Sequence, residues 1–224
     1  MNNNRVAAIV PALNEEANVG NVLKVLLKSK DLGEVILVDD GSEDKTVEIG
    51  ERLGAKVIRL PKKGGSGKGN AMKKGIENTD ADIIVFFDAD LIGFTAEHVS
   101  LLVRPVLENK AAMCVGVRGR YWGLPKLFIK INPILAIGGE RAMRRFVFES
   151  IPERFIQGFA VETSLNYCCL KKKLKVLYPE LKGLTVVIKE KKWGFLKGFK
   201  NRMKMFWQLF KIRILIYTNK KEFE

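Results

Sequence analysis

The 224-residue sequence has a single histidine, His98, and three cysteines, Cys114, Cys168 and Cys169. The cysteines do not form a CxxC pair, and two adjacent cysteines suit neither a zinc site nor a disulfide framework. The sequence therefore offers no His/Cys metal site. We predict three reduced thiols, as expected for a cytosolic protein.

Long uncharged apolar runs are also missing. The apolar part of the amino-terminal stretch MNNNRVAAIVPALNEE is too short for a signal peptide. The run YWGLPKLFIKINPILAIGG is interrupted by Pro125, Pro133 and lysines, so it does not fit a membrane span. These features predict a chain that is not exported.

Acidic residues are few relative to basic ones. The 25 Asp and Glu against 39 Lys and Arg give a formal net charge of +14. This excess indicates an anionic partner, which could be nucleic acid, an anionic membrane surface or a phosphorylated small molecule. No base-reading motif accompanies the charge, so we do not expect nucleic acid. The composition, 47% hydrophobic and 29% charged, is typical of a globular chain with one core.

Strand-like and helix-like segments alternate in the first half. The strand-like runs are RVAAIVP, EVILVDD, AKVIRLP and DIIVFFD, and they are nearly continuously apolar, as strands buried on both faces are. One helix-like segment begins near the candidate cap Ser42 and ends at Gly54. The alternation predicts an α/β fold with a Rossmann-like, mostly parallel sheet flanked by helices. Ligands of such sheets bind at the carboxyl ends of the strands.

The run VFFDADL places Asp88 and Asp90 at the end of the fourth predicted strand. Paired carboxylates at a strand end can hold Mg²⁺ or Mn²⁺ through oxygen ligands. An isolated pair could equally cap the next helix or stay solvated. Here three other predicted strand ends bring polar residues to the same edge, which favours a metal site.

The loop KKGGSGKGNA is a cationic, glycine-rich turn before a helix. It is not a Walker loop, because Lys62 and Gly69 stand where that motif needs Gly and Ser or Thr. It can bring Lys68 and backbone amides close to a diphosphate. The alternative is a surface loop with solvated lysines.

In order and separation, VPALNEE, VDDGSEDKT, GGSGKGNAM and FFDADL resemble the signature motifs of family 2 glycosyltransferases with a GT-A fold, which include the dolichyl- and polyprenyl-phosphate sugar synthases. The resemblance covers about residues 5–165. It implies a UDP- or GDP-linked sugar donor and a divalent cation, Mg²⁺ or Mn²⁺, held by Asp88 and Asp90. The implied donor-binding residues are Pro11, Ala12, Leu13, Glu15, Asp39, Lys68, Gly69, Asn70, Asp88, Ala89 and Asp90.

On the acceptor side, GVRGR and GGERA resemble phosphate-binding stretches of the same enzymes, which implies that Arg118 and Arg141 bind phosphates. On a helix, Arg141, Arg144 and Arg145 would share one face and form a cationic patch. We therefore predict all four arginines to bind an anionic acceptor, for example polyprenyl phosphate. The alternative for the patch is a solvated helix face.

The predicted catalytic residues are Asp90 and Glu162. Glu162 stands where many family members carry an acidic residue, which as a general base would deprotonate a hydroxyl acceptor. Alternatively, it is an acid favoured by the first turn of its helix. The family commonly reads DADLQ, whereas this chain has Ile92 after DADL, so we expect weak metal binding before the donor arrives.

The carboxyl-terminal stretch KKWGFLKGFKNRMKMFWQLFKIRILIY predicts a basic amphipathic helix rich in aromatic residues. Such helices lie in membrane interfaces, although the stripe could also pack as a last core helix. We therefore divide the chain into a GT-A domain, 1–190, with a donor half, 1–118, and an acceptor half, 119–190, followed by a tail, 191–224. We expect residues 193–217 to contact an anionic membrane.

These features predict a metal-dependent glycosyltransferase that uses a phosphate-bearing or lipid-linked acceptor, peripheral at the cytosolic membrane face. The family that makes glucosyl-3-phosphoglycerate is broadly similar and provides the enzymatic alternative, with a soluble anionic acceptor. A non-catalytic alternative is a basic adaptor for membrane or nucleic acid on a GT-A shell.

Overall fold

The computed structural model describes residues 5–61, 67–118, 138–156, 160–186, 215, 218 and 219. The strands are β1 (Val6–Ala12), β2 (Glu34–Asp39), β3 (Lys56–Arg59), β4 (Ile83–Phe86), β5 (Leu91–Ile92), β6 (Met113–Val115), β7 (Val117–Arg118), β8 (Arg141–Arg144), β9 (Val176–Leu177), β10 (Glu180–Leu181) and β11 (Thr185–Val186). The helices are α1 (Val19–Leu27), α2 (Thr46–Leu53), α3 (Lys68–Glu77), α4 (Ala96–Leu107), α5 (Arg145–Glu149), a 3₁₀ turn (Glu153–Phe155) and α6 (Ala160–Lys171).

A seven-stranded sheet in the order β3-β2-β1-β4-β8-β6-β9 forms the centre of the molecule. β1 pairs in parallel with β2 and β4, and β2 pairs in parallel with β3. β8 is antiparallel to both of its neighbours, β4 and β6. The predicted α/β architecture with a mostly parallel sheet is therefore confirmed.

Both faces of the sheet are buried, which explains the continuous apolar runs. In β1, Ile9 packs into a cluster with α3 and α6, whereas Val10 packs into a second cluster with α1 and α4. Both side chains are fully buried. The predicted end of α2 is also found, since Gly54 adopts the left-handed conformation with φ 84°.

Residues 141–144 form a strand, so the predicted helix with three arginines on one face is wrong. The segment fills the gap between β4 and β6 and pairs with both, and these long-range hydrogen bonds outweigh the local helical pattern. Arg141 lies opposite Phe86, at the carboxyl end of β4, and Arg144 lies opposite Ile83, at its start. Arg144 is thus about 10 Å from Arg141 along the strand, at the other edge of the sheet.

The predicted tail lies almost wholly outside the described residues, of which it contains only Leu215, Thr218 and Asn219. Among the described residues, no helix has the length and apolar character needed to cross a bilayer. The described part of the chain has all three cysteines, and they are free and buried.

Candidate active site

Asp88, Ala89 and Asp90 lie in the turn after β4, at the carboxyl edge of the sheet. Ala89 is buried, and the two aspartates are half-buried. The Asp88 carboxylate is paired with two cations. Its Oδ1 accepts a hydrogen bond of 2.7 Å from Lys68 Nζ, and its Oδ2 lies 3.5 Å from Arg118 Nη2. Lys68 and Asp88, which were predicted to bind the donor, thus lie in contact with Arg118, which was predicted to bind the acceptor.

Lys68 begins α3 and is shared between two carboxylates. Its Nζ also donates to Glu162 Oε1 at 2.9 Å. Burial lowers the pKa of Lys68, but the charges of Asp88 and Glu162 outweigh it and raise this pKa above its ordinary value. Lys68 is therefore a permanent cation in the site. Gly69 and Asn70 follow in the first turn of α3.

Arg118 is anchored by Glu140, a residue that sequence analysis missed. Its Nε donates to Glu140 Oε2 at 3.1 Å, and its Nη2 donates to Glu140 Oε1. Burial raises the pKa of the fully buried Glu140 and the nearby charge of Asp88 adds to this rise, whereas Arg118 opposes it. The Arg118 guanidinium is thus held between Glu140 and Asp88.

Gly139 brings backbone directly against Asp88. A Cβ built on Gly139 would lie 2.4 Å from Asp88 Oδ2 and 2.7 Å from Oδ1. Only glycine leaves room for the carboxylate at this distance. The stretch GGERA therefore contributes to the site through Gly139 and Glu140 as well as through its arginine.

Arg141 is fully buried at the same edge of the sheet. Its Nε and Nη2 donate to the Gly138 carbonyl at 3.1 and 2.6 Å, and its Nη1 donates to the Glu162 carbonyl at 3.2 Å. Burial lowers the pKa of Arg141, and the charge of Glu162 counteracts this. Arg141 thereby ties the loop before β8 to the first turn of α6, where Glu162 lies.

Arg144 and Arg145 lie away from this cluster, at the opposite edge of the sheet. Arg144 bonds to the Asn109 side chain. Arg145 donates to the carbonyl oxygens of Thr79 at 2.5 Å and Ile76 at 3.0 Å, and so caps the end of α3. The structure therefore separates these two arginines from Arg118 and Arg141, with which the sequence had grouped them.

The loops after β1 and β2 are joined by reciprocal hydrogen bonds. Asn14 N donates to Ser42 Oγ at 2.9 Å, and Glu43 N donates to Asn14 Oδ1 at 2.8 Å. Glu15 N donates to Thr46 Oγ1 at 2.8 Å. Ser42 thus links the two loops and is not the predicted helix cap, since the N-cap residue of α2 is Lys45.

A cavity of about 610 Å³ lies beside these joined loops, and Asp39 forms part of its wall. The Asp39 carboxylate is buried and accepts a hydrogen bond of 3.0 Å from Ser42 N. Nearby, Pro11 and Ala12 end β1, and Leu13 is 49% exposed. The lining residues are Glu16, Asp39, Gly41, Ser42, Glu43, Asp44, Lys45, Val47, Glu48, Arg59 and Leu60. Such a carboxylate-rich wall suits hydroxyl and N–H donors, such as those of a nucleoside.

The donor set fits a divalent cation that arrives with phosphate. Asp88 and Asp90 supply carboxylate oxygens, whereas Ile92 is exposed and apolar. Within the described residues there is no group of three or more His, Cys, Asp or Glu that could hold a metal. Mg²⁺ is commonly bound by one or two carboxylates together with substrate phosphates and water. The two aspartates fit that manner of binding.

Comparisons with known proteins identify similar chains. Residues 7–168 match the model of the family Glycosyl transferase family 2. The glucosyl-3-phosphoglycerate synthase of Petrotoga mobilis is 32% identical over 196 residues, which are 70% of this chain and 58% of that protein. The synthase of Mycolicibacterium smegmatis is 30% identical over 71% of this chain and 62% of its own. The chain thus spans about three fifths of the length of these relatives.

Solved structures of the Mycobacterium tuberculosis glucosyl-3-phosphoglycerate synthase have a similar fold. The complex with Mn²⁺, UDP-glucose and phosphoglyceric acid is 28% identical, with a TM-score of 0.69, over 82% of this chain and 72% of that one. The complex with Mg²⁺ and UDP is 26% identical with the same TM-score and coverage. These homologous structures thus contain Mn²⁺ with UDP-glucose and Mg²⁺ with UDP.

Proposed function

Because the chain belongs to glycosyl transferase family 2 and has its GT-A fold, we propose that it transfers a sugar from a UDP-sugar to a small phosphorylated acceptor of the phosphoglycerate type. The observation that carries this proposal is the cluster at the carboxyl edge of the sheet, where Lys68 and Arg118 flank Asp88. Two cations beside a strand-end carboxylate pair suit a reaction in which both substrates are anions.

On the donor side, the joined loops and Asp39 would receive the nucleoside, and Asp88 and Asp90 would hold Mg²⁺ or Mn²⁺. The bound ion would neutralise negative charge on the leaving diphosphate. Lys68, at the start of α3, adds a second positive charge, and the backbone N–H groups of that helical turn also favour anions. These groups would orient the diphosphate without moving a proton.

On the acceptor side, Arg118 is held by Glu140 and also lies beside Asp88. The N–H groups of its guanidinium can donate two parallel hydrogen bonds to a phosphate or carboxylate of the acceptor. Arg141 would act by fixing Glu162, with which it makes a contact of 3.7 Å through Oε2. We retain Glu162 as the candidate base for a hydroxyl acceptor, since its carboxylate lies at the same cluster.

The similar proteins favour a soluble phosphorylated acceptor over the lipid-linked acceptor that the sequence predicts. Glucosyl-3-phosphoglycerate synthases are similar over about 70% of the chain, and two solved structures of the Mycobacterium tuberculosis enzyme contain phosphoglyceric acid. Polyprenyl phosphate as acceptor, membrane contact through residues 193–217 and the division at residue 190 stay predictions. The last two depend on residues 191–224, of which only Leu215, Thr218 and Asn219 are described.

The test combines ligand-dependent thermal unfolding with a transfer assay. Wild-type protein is measured with UDP, GDP, CDP and ADP, with and without Mn²⁺, beside Asp90→Asn and the exposed control Asp80→Asn. We expect stabilisation by UDP that requires Mn²⁺ and Asp90 but not Asp80. Transfer from UDP-glucose is then compared for 3-phosphoglycerate and for polyprenyl phosphate in vesicles.

We expect turnover with 3-phosphoglycerate, and its loss by at least about 10²-fold in Asp90→Asn with an unchanged melting temperature in the absence of ligands. Turnover with polyprenyl phosphate alone would return the acceptor to the lipid-linked class. No nucleotide-dependent shift in any condition would refute the enzyme and favour the non-catalytic adaptor.

A further inference from the structure

Among the described residues, Asp88 has a cation beside each of its carboxylate oxygens. Lys68 Nζ donates to Oδ1 at 2.7 Å, and Arg118 Nη2 lies 3.5 Å from Oδ2. The proposed function gives the same carboxylate to Mg²⁺ or Mn²⁺. The divalent cation and the two side-chain cations therefore compete for one pair of oxygens.

Each of these two cations has a second carboxylate partner that is more deeply buried than Asp88. Lys68 also pairs with Glu162, whose side chain is 4% exposed, and Arg118 pairs with Glu140, whose side chain is 0% exposed. The Asp88 side chain is 27% exposed. A buried carboxylate without a cation is strongly unfavourable. Lys68 and Arg118 will therefore stay with Glu162 and Glu140 when Asp88 is withdrawn from them.

We propose that Lys68 and Arg118 are exchangeable counterions of Asp88, and that their ion pairs with Glu162 and Glu140 keep both cations in the site when a divalent cation binds Asp88. This inference rests on the proposed function, since it concerns the same metal. When the metal ion binds, Lys68 and Arg118 each lose their charge-assisted contact with Asp88 and can bind another anion. The phosphates of the donor and the acceptor are the anions that can replace the Asp88 carboxylate as their partner.

The exchange couples metal binding to phosphate binding. Without nucleotide, Mn²⁺ must displace two cations that gain no new partner, so it binds weakly. With a nucleoside diphosphate, the displaced cations meet phosphate oxygens, so the ion and the nucleotide strengthen each other's binding by the same factor.

The test is calorimetric titration of the full chain with Mn²⁺ in the absence of nucleotide. Lys68→Met removes one competing cation, and an opposite charge within about 4–6 Å changes the proton affinity of a carboxylate by about one to three powers of ten. We therefore expect Lys68→Met to bind Mn²⁺ about tenfold or more tightly than wild type. The matched control is Lys73→Met on the same helix, because Lys73 pairs with Glu77 and Glu153 outside the site. It should leave Mn²⁺ affinity unchanged.

Glu140→Gln should change the Mn²⁺ affinity in the opposite direction. Without the Glu140 charge, Arg118 is left to pair with Asp88, so Mn²⁺ affinity should fall severalfold. The double variant Glu140→Gln with Arg118→Met should recover it, because the released cation is gone. A purely structural role of Glu140 would not produce this recovery. If Glu140→Gln does not fold, Lys68→Met decides the question, because Glu162 keeps Arg141 as a second cation at 3.7 Å when Lys68 is removed. Mn²⁺ binding should be tighter in Lys68→Met than in wild type.

A second titration with UDP present separates this inference from the proposed function. We expect Lys68→Met to lose much of the mutual strengthening between Mn²⁺ and UDP that wild type shows. Mn²⁺-dependent UDP binding by wild type, with unaltered Mn²⁺ affinity in Lys68→Met, would overturn the exchange and leave the proposed function standing. Absence of Mn²⁺-dependent UDP binding in wild type and in Lys68→Met would overturn the exchange and the proposed function together.

Discussion

Replacing Gly139 by alanine should disable Asp88 without removing a charge. The new Cβ would lie 2.4 Å from Asp88 Oδ2, and real Cβ atoms essentially never approach other atoms more closely than 3.0 Å. Gly139 does not have a left-handed φ, so the effect is steric alone. The carboxylate must move away from Gly139, which changes its position relative to Lys68, to which it now bonds at 2.7 Å.

The size of the effect follows from this forced displacement. Extra atoms in a packed site typically cost about 1–3 kcal/mol of unfolding free energy. A misplacement of about 1 Å in a catalytic site can cost about 10²-fold in rate. We therefore expect Gly139→Ala to lower the unfolding free energy by about 1–3 kcal/mol and kcat/KM for transfer by about 10²-fold.

The assay compares Gly139→Ala with a control glycine. A Cβ on Gly33 would meet its nearest atom, the Val6 carbonyl oxygen, at 3.6 Å, which is an ordinary contact. Urea unfolding, Mn²⁺-dependent UDP binding and transfer kinetics are measured on wild type, Gly139→Ala and Gly33→Ala. Wild-type UDP binding and turnover in Gly139→Ala would refute the close packing of Gly139 against Asp88.

Three further predictions concern the end of α3, the loop before α2 and the tail. Arg145→Ala should lower the unfolding free energy by about 1.5–3 kcal/mol, because Arg145 binds the Ile76 and Thr79 carbonyl oxygens, and leave the acceptor KM unchanged; a raised KM would support the predicted acceptor contact instead. Burial raises the pKa of Asp44, but hydrogen bonds, chiefly from Thr46, lower it below its ordinary 3.8. Asp44→Asn should therefore reduce the unfolding free energy by about 1 kcal/mol at neutral pH, and this loss should shrink as the pH falls through the folded-state pKa; an equal loss in urea unfolding at every pH would contradict it. Deletion of residues 193–224 should release the chain from anionic vesicles in sedimentation, and continued co-sedimentation would count against the tail as the membrane contact.

The central strands could be predicted because burial on both faces leaves a direct trace in the sequence. β1, β2 and β4 read as continuous apolar runs, and the polar residues that follow them collect at one edge of the sheet. The location of Asp39, Lys68 and Asp88 at that edge follows from the parallel topology alone. The same topology brought Lys68 and Asp88 within hydrogen-bond distance.

The remaining part of the site depends on contacts that are distant in sequence. The spacing of Arg141, Arg144 and Arg145 fits a helix, but pairing with β4 and β6 makes 141–144 a strand and sends the arginines to opposite edges. Glu140 and its partner Arg118 are 22 residues apart. No local pattern indicates that a carboxylate will be buried against such a distant guanidinium. Only the doubled glycine before Glu140 hinted at a close approach of backbone.

The late position of β8 has a consequence for synthesis of the chain. β8 lies between β4 and β6 in the sheet, although it follows both in sequence. While the chain emerges from the ribosome, β4 keeps an open edge until Arg141–Arg144 is made, and β6 must wait for the same strand. Open strand edges invite pairing with other chains. A nascent or truncated chain that stops at residue 118, where the predicted donor half ends, therefore has an incomplete sheet that is prone to aggregate.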